Sequence, residues 1–128
     1  MEKQVKLSEN SLWKLLVCLN WSLDHDYKRV EENLKMFGSD VATQLHQFAL
    51  SRQTEIQEKF EEDWLGEKGI EVSDDGWDDL TAEVVSRGKE FYNNITAEKL
   101  REMVDGDDYY ENFLYSFHYL YDNMGYKL

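Results

Sequence analysis

The chain has 128 residues, 41% apolar and 14% aromatic, with a formal net charge of −13 and a single cysteine. That apolar share is too high for a disordered acidic tail. The length suits one domain over residues 1–128, and one cysteine excludes an intramolecular disulfide. The charge is concentrated: residues 58–83 hold eleven acids and two bases, a net −9, against −1 for residues 1–57 and −3 for 84–128. Such a field repels nucleic acid and anionic lipid and draws in a basic partner.

There is no proline, so nothing forces a helix to break, and the seven glycines punctuate instead. Leu12, Leu15, Leu16, Leu19 and Leu23 recur along one face of a first helix, capped by Ser8 or Ser11. Cys18 lies beside that face as a small core hydrophobe. Asp24 or Asp26 caps a second helix with Tyr27, Val30, Leu34 and Phe37 inside, and Gly38 ends it in a left-handed turn. Ser39 opens a third, striped by Val41, Leu45, Phe48, Arg52, Ile56, Phe60 and Trp64. This helix either runs from Asp40 to Trp64 or ends earlier. In the long form Glu58, Glu61, Glu62 and Asp63 oppose the macrodipole at its C-terminus.

After Gly66 and Gly69, Ser73 caps a fourth helix with Asp74 and Asp75 in its first turn. Its spacing continues through Trp77, Leu80, Val84, Phe91 and Ile95, and Gly88 is either an end or a point of close packing. Thr96 caps a short helix around Leu100, Met103 and Val104. Asp107 or Asp108 caps the last, with Tyr110, Phe113, Leu114, Phe117, Leu120, Tyr121 and Met124 inward and Tyr115 and Tyr119 partly exposed. Only Gly69–Val72 hints at a strand. The expectation is an all-α fold, one compact bundle of five or six helices.

One stretch resembles a known family. Ser73-Asp74-Asp75-Gly76-Trp77, followed by Val84 to Tyr92 with Arg87-Gly88-Lys89-Glu90 inside, is similar to the bacterial domain-of-unknown-function family numbered 4240, as is the opening Leu12-Trp13-Lys14-Leu15-Leu16. The similarity extends from about Ser8 to Gly125. The chain departs from the family pattern at Ala82-Glu83, where the family has Arg-x-Trp, and lacks its Pro-Asp. The resemblance implies a helical fold and no established activity.

Asp74, Asp78 and Asp75, Asp79 are i,i+4 pairs of like charge, which destabilise a helix unless something compensates. A solvated capping turn, a basic partner and a divalent metal are the three compensations available. The spacing does not fit a calcium loop. A second acidic cluster, Asp105, Asp107, Asp108 and Glu111, reads as helix capping. His25, His46 and His118 have no second metal ligand at helical spacing, and Cys18 has no histidine close in sequence, so no catalytic residue, metal or cofactor is expected.

The expected function is that of a non-enzymatic, cytoplasmic binding module that neutralises a basic protein. The N-terminal MEKQVKLSEN lacks the apolar run of a signal peptide. The most concrete version is a bacterial immunity protein or antitoxin against a nuclease-type toxin, since such toxins carry cationic clefts for phosphate. The expected contact residues are Glu61, Glu62, Asp63, Trp64, Asp74, Asp75, Trp77, Asp78 and Asp79, with acids for complementarity and tryptophans as anchors. The alternatives are a metal-dependent hydrolase built on Asp74, Asp75, Asp78 and Asp79, and a DNA-mimicking inhibitor.

Overall fold

A computed structural model describes residues 6–66 and 69–117. These residues are all-α, in eight helical segments: α1 Glu9–Cys18, α2 Trp21–Asp24, α3 Tyr27–Phe37, α4 Ser39–Lys59, α5 Glu61–Leu65, α6 Asp74–Ser86, α7 Lys89–Asn93 and α8 Ala97–Asp105. No strand forms among them; 69–73 is irregular. Five segments have nine residues or more, and the three short ones arise where expected helices break.

Each break has a local cause. The first helix stops at Cys18 because Asn20 turns left-handed (φ +62°), and α2 ends at His25 in the same conformation (φ +54°). Leu23 therefore leaves the leucine face and is 71% exposed, and Cys18 is exposed rather than core. The long central helix ends at Lys59, where Phe60 leaves helical geometry (φ −110°, ψ 16°) while its ring stays buried. The chain restarts at once as α5, so Glu61, Glu62 and Asp63 occupy a first turn, where acids suit the helix dipole. Gly88 both ends α6 and opens α7 with φ +102°, and a Cβ there would meet Val17 at 3.2 Å.

The caps follow the sequence more closely. Ser8, Asp26, Ser73 and Thr96 accept backbone N–H groups of Ser11, Lys28, Gly76 and Lys99. Gly38 turns at φ +90° between α3 and α4. Asp107 and Asp108 do not cap a helix. Asp107 is left-handed (φ +54°), Asp108 is pulled to Arg87, and 108–112 is not helical. A helical turn appears only at 115–117, after Asn112 Oδ1 accepts the Leu114 N–H. His118, Tyr119, Leu120, Tyr121, Met124 and Gly125 lie outside the described residues.

α4 packs against α1, α3 and α6, and α6 in turn against α7 and α8. The core joins Leu16, Leu34, Leu45, Ile56, Trp77, Leu80, Val84, Leu100 and Phe113 in one cluster. Arg52, the expected polar break in the α4 stripe, pairs with Glu55 at 3.1 Å, while Gln53 and His46 are the buried polar residues of that helix. Burying such groups is tolerated when hydrogen bonds are made. Gln53 Nε2 donates to the Asp78 carbonyl at 2.9 Å, tying α4 to α6.

Candidate functional site

The juxtaposition of α4, α5 and the start of α6 makes a groove of about 310 Å³ lined by Thr54, Gln57, Glu58, Glu61, Trp64, Asp74, Trp77 and Asp78. No basic residue lines it. Its floor is a pair of indoles, Trp64 and Trp77, stacked 5.2 Å apart at 5°. Trp77 is core, 4% exposed, whereas Trp64 is half-buried and donates its Nε1 hydrogen to the Val72 carbonyl at 3.0 Å. The carboxylates of Glu58, Glu61, Asp74 and Asp78 are exposed around this floor. Gln57 reaches across to Asp78 at 2.8 Å and joins the walls.

The Ser-Asp-Asp-Gly-Trp block builds the α6 side. Ser73 Oγ accepts the Gly76 N–H at 3.1 Å, Asp74 and Asp75 occupy the first turn, and Trp77 drops into the core. Gly76 is buried under Val72, where a Cβ would stand 2.3 Å from Cγ2. The loop can therefore fold over α6 only where the helix lacks a side chain.

The structure thus brings together Glu61, Trp64, Asp74, Trp77 and Asp78 of the expected contact residues. Glu62 is exposed and lines no part of this groove, and Asp63 pairs with Arg101 at 3.8 Å. Asp75 and Asp79 belong to a neighbouring strip with Glu111. Asp79 accepts the Asn112 N–H at 3.0 Å, and Glu111 accepts the Tyr27 hydroxyl at 3.2 Å. Burial raises the Asp79 carboxyl above the ordinary range; the Asn112 N–H opposes this, and the charges of Glu111, Asp75 and Asp78 add to it. Burial and the adjacent Glu111 carboxylate also push the Tyr27 phenol up. Tyr115 is 53% exposed beside this strip, as expected, but Tyr110 is not inward: it is 47% exposed and stacked on His25.

Glu83, the last acid of the 58–83 window, does not belong to the surface. It is 1% exposed, accepting Trp21 Nε1 at 3.2 Å and Arg87 Nε at 3.0 Å, with His25 Nε2 at 3.7 Å. Arg87 continues to the Asp108 carboxylate at 2.9 Å and its carbonyl at 3.1 Å. The only sequence signal was Glu83 standing among Ala82, Val84 and Val85. Of the second acidic cluster, Asp108 is consumed in this network and Glu111 joins Asp79.

Among the described residues, no three His, Cys, Asp or Glu side chains are arranged to hold a metal ion. Among the same residues, no helix is long and apolar enough to cross a membrane. No family model, curated protein or solved structure matches the chain.

Proposed function

We propose that this chain is an acidic binding module that neutralises a basic protein, most concretely a bacterial immunity protein or antitoxin facing a nuclease-type toxin. The observation that carries the reading is the groove itself: four exposed carboxylates, from Glu58, Glu61, Asp74 and Asp78, surround a stacked Trp64–Trp77 floor with no cation among the lining residues. Acids at the rim speed the encounter with a cationic cleft, and an aromatic floor supplies the desolvated contact that holds it. The strip of Asp75, Asp79, Glu111 and Tyr115 extends the same chemistry along α6. The resemblance to family 4240 belongs to this proposal: its Ser73–Trp77 and Arg87-Gly88 blocks form the two ends of α6, which carries half of the groove's acids.

The experiment is a pull-down from source-cell lysate at low and high salt, with wild type and a Glu58→Lys/Glu61→Lys variant as bait. A basic protein retained at low salt, weakened by salt and lost by the variant supports the reading. Retention unchanged in a folded variant overturns it. Capture of a nucleic-acid-binding enzyme instead of a toxin assigns the DNA-mimic version.

A further inference from the structure

A second surface has the opposite chemistry. Between α1 and the start of α7 lies a groove of about 580 Å³ lined by Asn10, Trp13, Lys14, Val17, Cys18 and Lys89. Trp13 is buried beneath it, while Val17 is 49% exposed and Cys18 stands exposed beside it. Lys89 Nζ donates to Asn10 Oδ1 at 2.9 Å, which holds an ammonium against α1. Among the described residues, neither Lys14 nor Lys89 is ion-paired, although the chain has 27 acids to 14 bases. No acid lines the groove.

We infer that this groove docks a segment of a second protein whose apolar side chains are bordered by carboxylates. The exposed Val17, with Cys18 beside it and the buried Trp13 as their backing, takes the apolar side chains, and Lys14 and Lys89 pair with the flanking acids. Five of the six lining residues are exposed. The groove therefore covers one face of an occupant, as a protein contact does, and does not enclose a small molecule, whose sites bury most of the ligand. A second copy of this chain brings a net charge of −13 as a whole, whereas a short segment brings only the charges that reach the lysines.

Cys18 is the sole cysteine, so its reaction rate with an aromatic disulfide reagent reports occupancy of this groove alone. The probe is an acetylated synthetic helix with leucine on one face and glutamate elsewhere; its counterpart carries lysine for glutamate. The expected result is saturable slowing of Cys18 modification by the glutamate peptide and none by the lysine peptide. In Lys14→Glu/Lys89→Glu, the peptide concentration giving half-protection rises roughly tenfold, as two exposed attractions become repulsions. Each variant's rate is read as the ratio with and without peptide, which cancels any change in the thiol itself. Val17→Ser, at an exposed position, weakens protection without altering charge. Equal protection by both peptides, or none at millimolar concentration, overturns the inference. Protection that grows with protein concentration in the absence of peptide overturns it in favour of a second copy as occupant.

Discussion

Glu83 Oε2 and Arg87 Nε stand 3.0 Å apart, one turn of α6 between them, and the carboxylate is 1% exposed. The pair is the hinge between core and surface. Glu83 is anchored inward by the Trp21 indole, and Arg87 reaches outward to fix the chain at Asp108. From there the chain delivers the Asn112 N–H to Asp79 and the Glu111 carboxylate to Tyr27. An ion pair with a buried carboxylate and a half-buried guanidinium thereby sets the position of an acidic surface strip.

Removing one partner of that pair is expected to cost more than any surface change. Arg87→Met leaves Glu83 buried without its cation, at about 3 to 5 kcal/mol. Arg87→Met with Glu83→Gln recovers part of this, because the uncompensated charge is gone. Urea unfolding of both variants and of wild type measures the difference.

The Arg87 hydrogen bond holds the Asp108 carboxyl below its ordinary range. A depressed carboxyl contributes stability that is present above the unfolded value and is lost as pH falls through the folded one. The expected outcome is an acid-side decline in melting temperature that sets in as pH falls through the ordinary carboxylate range and is complete only below the depressed folded value. In Asp108→Asn the decline is shallower, and melting curves between pH 2 and 7 test this.

Asp79 has the opposite sign. Its carboxyl is raised, so ionisation opposes folding: the penalty is absent below the unfolded value and complete above the folded one. Asp79→Asn keeps an oxygen for the Asn112 N–H and removes the charge beside Asp75, Asp78 and Glu111. Its melting temperature should exceed that of wild type at pH 7, and the gap should close as pH drops from the raised folded value to the ordinary carboxylate value.

Gly76→Ala would normally favour a helix by roughly 0.5 to 1 kcal/mol. Here the added Cβ would meet Val72 Cγ2 at 2.3 Å, so the sign reverses. A net loss of about 1 to 3 kcal/mol is expected from the forced shift. Val72→Ala in the same chain makes room and should restore most of it, a coupling that a double-mutant cycle measures directly.

Trp64→Ala removes the stack on Trp77 and the bond to the Val72 carbonyl. Because Trp64 is only half-buried, the cost should fall near 2 kcal/mol, below that of a core tryptophan. Trp64→Phe keeps a ring over Trp77 and should recover more than half of that loss. Denaturation followed by circular dichroism separates the two.

The sequence by itself determined the helical class, the caps at Ser73 and Thr96 and the turn at Gly38, and narrowed two further caps to Ser8 or Ser11 and Asp24 or Asp26, because these depend on contacts within a few residues. It also determined that Asp74 and Asp78 share one side of α6, since helical period alone puts them there. Only the tertiary structure decided which acids face which way. The break at Phe60 turned Glu61 toward Asp74, burial took Glu83 out of the surface field, and Arg87 claimed Asp108. Local rules see Phe60 as one more apolar residue in a stripe and Glu83 as one more acid. Their placement depends on partners up to 62 residues away, as between Trp21 and Glu83, which no pattern of spacing along the chain encodes.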